Sequence, residues 1–210
     1  DAFLAANPGN PRIIIAKLFV QGRKAELDAA AGGDPVVAMD RIRASREPLR
    51  ADLDGIRRGI ETADVSKIDA EFVQRLQLIE SILDPQSRLS RTESVVRRVL
   101  EERPTDPDFL VIAATVLADR GEFAGAIDYL NTLIKLPSPP VGLMGTKVMS
   151  RQSEASFLRC SFAIRKWDLA PDAAGKEAAI AEAKGFRDEL AKTVDLKNIG
   201  LTYVNGQIAF

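Results

Sequence analysis

The sequence has no histidine and only one cysteine, Cys160, among its 210 residues. Histidine is the commonest general base and the commonest metal ligand in proteins, so its absence leaves only carboxylate, lysine or thiol chemistry for a catalytic site. A single cysteine cannot form a disulfide within the chain. The glycines at 121, 142 and 145 lack the flanking residues of a phosphate-binding loop. We therefore expect no catalytic site, no metal site and no cofactor.

Long apolar runs and an excess of charge of one sign are also lacking. No apolar run approaches the roughly 20 residues that a membrane-spanning helix needs, so we predict no transmembrane segment. The formal net charge is −1, which gives no overall field to attract nucleic acid or an anionic membrane. Aromatic residues make up 6% of the chain, a scarcity that favours helix over strand.

The two ends of the sequence are typical of a piece of a longer protein. The chain opens with Asp1 rather than Met, and it ends on an apolar stretch from Tyr203 to Phe210 that carries no helix stop. Targeting signals would then be missing, and the compartment stays open. One unpaired cysteine favours the reducing cytoplasm slightly, and a periplasmic protein without disulfides is the alternative.

Pro, Gly and Asp divide the chain into pieces of helical length. Apolar residues within the pieces recur at the spacing of one helix face, and no useful length alternates with period two. The sequence therefore predicts an all-α protein. The first four predicted helical segments are Pro11–Ala31, Val36–Thr62, Ser66–Leu83 and Ser90–Glu102. Because the second of these contains Pro48, it reads either as two helices or as one kinked helix.

The segment from residue 107 to 137 carries the clearest pattern. An apolar helix from Phe109 to Leu117 runs into Gly121, and a second helix follows from Ala124 to Lys135. Two helices joined by so short a turn must lie antiparallel. Gly121 stands where the first helix must stop, and glycine adopts a left-handed conformation at least cost. Ala126 is small enough to let the two backbones approach closely.

This segment resembles one unit of the tetratricopeptide-repeat (TPR) family. The positions that match are Leu110, Ala113, Ala114, Leu117, Gly121, Phe123, Ala126, Leu130, Leu133 and Pro137. Looser copies of the first-helix spacing begin at Phe157 and Tyr203. The resemblance implies an α-solenoid of antiparallel helical hairpins, a TPR-like superhelix, with repeats over residues 66–210 and the best unit at 107–137. Residues 1–65 would form irregular helical hairpins that continue a longer array.

The resemblance also implies where a partner binds. In TPR units the first helix of each hairpin lines the concave face, and family members that grip an acidic C-terminus carry a Lys and Asn pair there. Val111 and Thr115 occupy the matching positions here, so that clamp is absent. The implied partner is a protein segment with apolar anchors. The predicted partner-binding residues are Val111, Thr115, Asp119, Leu158, Phe162, Arg165 and Lys166.

An arginine-rich tract supports a second hypothesis. Between Arg41 and Arg103 the chain contains twelve Arg and one Lys, and Arg suits bidentate contact with phosphate or carboxylate. Glu and Asp residues interleave with these arginines at helical pairing distances. The tract therefore reads as a solvated face of ion pairs. The alternative is a face that binds an anionic polymer, either nucleic acid or an acidic polysaccharide.

Two single residues leave a choice between core and function. Cys160 stands at a position that TPR units fill with a buried apolar residue, so we interpret it as a small core residue rather than a reactive thiol. Trp167 lies near a predicted helix end and suits either the core or a partner contact.

Overall fold

The computed structural model of this chain describes residues 11–31, 34–61, 64–137, 151–193 and 199–209. Over these residues the chain forms nine α-helices, two short 3₁₀ turns and no strand, so the predicted all-α class is confirmed. The chain divides into two units, Asp1–Glu102 and Arg103–Phe210. The start of regular repeats at residue 66 stays a prediction.

The first unit contains four helices. They are α1 (Pro11–Ala30), α2 (Pro35–Glu61), α3 (Ala70–Leu83) and α4 (Ser90–Glu102), with 3₁₀ turns at Val65–Lys67 and Pro85–Ser87. α2 runs through Pro48 without interruption, so the interpretation as two helices is wrong. Proline removes one backbone hydrogen bond from the helix. The buried side chains of Leu49, Leu53 and Ile56 pack around that point and offset the loss.

α1 and α3 lie side by side and point the same way. Ile15 near the start of α1 lies beside Phe72 and Arg75 near the start of α3. Gly22, further along α1, lies beside Leu83 at the end of α3, and a Cβ at Gly22 would be 3.7 Å from the Leu83 side chain. Contacts that advance together along both helices mean a parallel pair. α2 contacts both members of this pair.

A buried carboxylate joins α3 to the start of α4. Glu80 is fully buried, and its carboxylate accepts hydrogen bonds from the backbone N–H of Arg91 (3.0 Å) and of Thr92 (2.8 Å). The hydroxyls of Ser87 (2.8 Å) and Thr92 (2.7 Å) also donate to it. Glu80 thus satisfies first-turn N–H groups of α4 that have no partner within their own helix.

Arg91 extends this connection to α2. Its guanidinium lies 2.7 Å from the Asp54 carboxylate on α2 and 2.9 Å from that of Asp84 at the end of α3. The sequence predicts a solvated face of ion pairs for this tract, and Glu80 departs from it because it is fully buried. The turn before α4 holds Arg88 (φ 49°) and Leu89 (φ 61°) in the left-handed region, which is unfavourable for residues other than glycine. The hydrogen bonds at Glu80 and the burial of Leu89 offset that strain.

The second unit contains five helices. They are α5 (Pro107–Asp119), α6 (Phe123–Lys135), α7 (Arg151–Leu169), α8 (Ala173–Thr193) and α9 (Ile199–Ala209). The Asp106 side chain caps α5 by accepting from the backbone N–H groups of Asp108 and Phe109. The hairpin of α5 and α6 confirms the two helices predicted over residues 107–137. Gly121 between them has φ 83°, the predicted left-handed conformation.

Neighbouring helices of this unit are antiparallel. On α7, Arg159 bonds to Glu189 at the end of α8, whereas Lys166, further along α7, bonds to Glu182 nearer the start of α8. The same reversal relates α6 to α7. The Phe123 ring at the start of α6 meets the Phe162 ring at 6.4 Å between centroids, and Asn131, further along α6, meets Arg159.

In the second unit, two helices that are separated in the chain by one other helix are parallel. Asp108 and Asp119, near the two ends of α5, pair with Arg151 and Arg165, near the matching ends of α7. α9 is parallel to α7 as well. Phe157 contacts Tyr203 near the start of α9, whereas Ala163 and Ile164, further along α7, pack with Ile208 near the end of α9. The first helices predicted from Leu110, Phe157 and Tyr203 are therefore α5, α7 and α9.

We expect Gly121→Val to lower the free energy of unfolding by about 1–2 kcal/mol, because a β-branched residue is disfavoured in the left-handed region. No described atom lies within 4 Å of a Cβ built at Gly121, so the loss should come from the backbone alone. Gly121→Asn is the control, since asparagine tolerates this conformation better. Equal urea midpoints for Gly121→Val and the unmodified chain would contradict the assignment.

Glu80→Gln should destabilise the first unit by about 2–5 kcal/mol. One amide oxygen cannot replace two carboxylate oxygens, and the new NH₂ group would face backbone or hydroxyl donors. The matched control is Glu71→Gln on the exposed side of the same helix, which should change stability by less than about 0.5 kcal/mol. Urea unfolding followed by circular dichroism measures both, and similar losses in the two variants would refute the role of Glu80.

Candidate partner-binding face

The parallel helices α5 and α7 bring together most of the residues predicted to bind a partner. Residues seven apart on a helix share a face, so Arg151, Leu158 and Arg165 lie along one side of α7. The ion pairs of Arg151 with Asp108 and of Arg165 with Asp119 show that this side meets α5. We name this face the α5–α7 strip. Its residues are Asp108, Thr115, Asp119, Arg151, Leu158 and Arg165.

The two ends of the α5–α7 strip are charged and its middle is less polar. At one end Arg165 lies 3.6 Å from the Asp119 carboxylate, donates to the Ala118 carbonyl at 3.3 Å, and has its guanidinium carbon 5.5 Å from the Phe123 ring centroid. The side chains of Arg165 and Asp119 stay about half exposed. In the middle, Thr115 and Leu158 are half-buried, and the Thr115 hydroxyl donates to the Ile112 carbonyl.

Two predicted partner-binding residues lie in the core instead. Phe162 is 4% exposed and packs on Phe123, and Val111 is 9% exposed. The prediction that Phe162 is an accessible anchor is therefore wrong. That prediction assumed that only one side of the helix packs inward, so that the residues next to the buried ones face away from the core. α7 packs against helices on more than one side, so its neighbouring positions are buried as well.

Lys166 also departs from the prediction. Its ammonium group bonds to the Glu182 carboxylate of α8 at 2.9 Å. α8 lies on a different side of α7 from α5, because Lys166 follows Arg165 by 100° around the helix. The structure thus places Lys166 at the α7–α8 contact, apart from the α5–α7 strip.

The arginine-rich tract forms ion pairs within the first unit. Among the pairs that the structure defines are Arg43–Asp40, Arg46–Glu26, Arg50–Glu47, Arg75–Glu71, Arg91–Asp54, Arg91–Asp84 and Arg97–Glu93. The interpretation of interleaved charges as ion pairs is confirmed for these residues. Arg91 is an exception to the solvated face, since its side chain is only 14% exposed.

An apolar groove between α1 and α3 was not predicted from the sequence. Its volume is about 360 Å³, and its lining includes Ile15, Ala16, Phe19, Val20 and Leu78. Phe19, Val20 and Leu78 are 46%, 65% and 51% exposed, unusually so for large apolar side chains. The sequence does contain one indication of this groove. α1 has more apolar residues than its inward side can hold, because Ile15 and Leu18 already fill that side.

Cys160 lies in the core, as predicted, whereas both interpretations of Trp167, core or partner contact, stay predictions. Cys160 is fully buried, and burial raises the pKa of its thiol to about 11, so the reactive thiolate is scarce at neutral pH. The Trp167 ring is half-buried, and the Lys176 ammonium lies 5.1 Å from its centroid. In the part of the chain that the structure describes, no three metal-ligating side chains are grouped, and no helix has the length and apolarity to cross a membrane.

Comparison with protein-family models, with curated proteins and with solved structures finds no significant match to this chain. Helix geometry and the side chains that it exposes are therefore the features from which a function can be proposed.

Phe162→Ala should lower the free energy of unfolding by about 3–5 kcal/mol, because it removes a buried aromatic ring and leaves a cavity beside Phe123. Leu158→Ala on the half-exposed side of the same helix is the control, with an expected loss of about 1 kcal/mol. Urea denaturation of the two variants provides the comparison. A loss for Phe162→Ala no larger than that for Leu158→Ala would mean that Phe162 does not belong to the core.

Proposed function

We propose that this chain is a TPR-like α-solenoid that acts as a non-enzymatic scaffold and binds a segment of a partner protein. The order of packing in the second unit carries the proposal. Each helix is antiparallel to the next, and α5, α7 and α9 are parallel to one another. Repeated helical hairpins that stack in one direction have this order, and their parallel first helices line a common face.

The chemistry of the α5–α7 strip suits an amphipathic partner segment. Thr115 and Leu158 offer a half-buried middle that an apolar side chain can cover. The ends of the strip carry the ion pairs of Arg151 with Asp108 and of Arg165 with Asp119. Each of these side chains can exchange a contact within the chain for a hydrogen bond to a polar group of the partner. Mixed surfaces of this kind bind helices and extended segments through a few apolar anchors.

Binding of an anionic polymer remains the alternative, and the ion pairs of the first unit weigh against it. A polyanion would have to displace Asp54 and Asp84 from Arg91, whose pKa is raised by its hydrogen bonds to these carboxylates against the opposing effect of burial. The two proposals differ in salt dependence. Affinity for a polyanion should fall steeply with ionic strength, whereas a contact with an apolar anchor should change much less.

A photo-crosslinking residue at Leu158 tests the proposal in an extract of the source cells. We expect a defined protein to be captured at this position and not from Lys184, an exposed position on α8. Arg165→Glu should then weaken binding of the identified protein about tenfold, because it places a carboxylate beside Asp119. Lys184→Glu is the matched control for charge.

Lys184→Glu should leave the melting temperature close to that of the unmodified chain, because its side chain is exposed. Arg165→Glu should lower it by a few degrees, because the variant loses the ion pair with Asp119 and the contact with Phe123. Binding is therefore measured well below both melting temperatures. Capture that is equal at Leu158 and Lys184, or binding that Arg165→Glu leaves unchanged, would contradict a partner site on the α5–α7 strip. Loss of the captured protein on addition of heparin at moderate salt would favour the anionic-polymer alternative.

A further inference from the structure

A second line of residues runs along α7 beside the α5–α7 strip. Glu154, Ser161 and Asp168 follow one another at intervals of seven residues, so they share one side of the helix. Glu154 and Ser161 are half-buried and Asp168 is exposed, so this side of α7 is open to solvent. We name this line the α7 midline. It spans about 21 Å at 1.5 Å per residue, a length of about four helical turns.

Apolar side chains flank the centre of the α7 midline. Phe157 and Leu158 lie one turn before Ser161, with Phe157 on the side that meets α9 and Leu158 on the side that meets α5. Both are half-buried. The Phe157 ring centroid lies 6.2 Å from that of Tyr203 on α9, and Tyr203 is 55% exposed. These three side chains form an apolar centre that an anchor residue of a partner can cover.

The charges around this apolar centre are unbalanced. α9 carries no charged residue between Ile199 and Ala209. On this side the described residues of α5 and α7 supply the two cations of Arg151 and Arg165, together with four carboxylates. The carboxylates belong to Asp108, Asp119, Glu154 and Asp168. An excess of negative charge favours a partner that carries positive charge.

Asp168 adds to this excess at an unfavourable place in its own helix. It lies in the last turn of α7, where the helix dipole presents its negative end and a carboxylate is destabilising. α5 is parallel to α7 and also ends there, with Asp119 as its last residue. The two neighbouring cations are engaged with other acids, Arg165 with Asp119 and Lys166 with Glu182. A cation supplied by a partner would reduce the repulsion at this end.

We propose that the partner segment is basic and amphipathic and lies along the α7 midline. Its apolar anchor covers Phe157, Leu158 and Tyr203, and a Lys or Arg about 10 Å further along pairs with Asp168. This inference rests on the proposed function, because it extends the partner site from the α5–α7 strip to α9 and names the charge of the partner.

Two synthetic peptides of about 18 residues test the charge of the partner. Both carry Leu on one helical face, and the polar positions are Lys in one peptide and Glu in the other. By fluorescence anisotropy, the unmodified chain should bind the Lys peptide at least about tenfold more tightly than the Glu peptide. Asp168→Lys should weaken binding of the Lys peptide about tenfold. Asp128→Lys on α6, also at an exposed position, is the control and should leave it unchanged.

Tyr203→Ala separates the apolar contribution from the charge. It removes apolar surface and no charge, so it should weaken binding of both peptides by a similar factor. Asp168→Lys should leave the melting temperature unchanged or raise it slightly, because a cation is favourable at the end of a helix. Weaker binding by this variant would therefore not come from unfolding.

Equal affinity of the unmodified chain for the two peptides would overturn the inference. So would an effect of Asp168→Lys no larger than that of Asp128→Lys. The proposed function is tested separately, because photo-crosslinking at Leu158 does not depend on the charge of the partner. Capture there of a partner whose crosslinked segment is acidic would overturn the basic partner and leave the proposed function standing.

Discussion

The need to bury apolar side chains on more than one side of a helix determines the architecture of the second unit. Along α5, the residues from Phe109 to Ala114 are all buried, together with Val116 and Ala118. A single neighbour covers only one side of a helix, so the hairpin partner α6 cannot by itself bury all of these side chains. α7 has the same requirement, with Phe162 against α6 and Cys160 in the cluster with Val204 of α9. Stacking follows from this demand.

The helices could be predicted from the sequence because their ends depend on local chemistry. Ser90–Glu102 was predicted with the bounds that α4 has, and Gly121 was placed in the left-handed region for the reason that the structure shows. Pro48 left one helix or two open in the prediction, and the structure has one. Burial of Leu49 and Leu53 offsets the backbone hydrogen bond that the proline removes.

Which side of each helix faces the core could not be predicted in the same way. One position along a helix is a turn of 100°, so an error of one residue moves Phe162 between a partner face and the core. Glu80 was missed for a different reason. Its partners Ser87, Arg91 and Thr92 lie across a turn whose path depends on left-handed residues that are not glycine. The α1–α3 groove required knowledge of which helix lies beside α1, and that neighbour is 60 residues away in the chain.

The parallel arrangement of α5 and α7 is the central claim, and crosslinking of engineered cysteine pairs with a short bismaleimide tests it most directly. A bismaleimide is needed because an ion pair to a long arginine side chain can join residues whose Cα atoms lie beyond the roughly 7 Å that a disulfide spans. In a Cys160→Ser background, we predict rapid crosslinking for Asp108→Cys with Arg151→Cys and for Asp119→Cys with Arg165→Cys, because these residues pair at the two ends of the strip. The crossed pair of Asp108→Cys with Arg165→Cys should not crosslink, since about 20 Å of helix separates the two positions. Rapid crosslinking of the crossed pair and none of the direct pairs would show that the helices are antiparallel and would contradict the parallel arrangement.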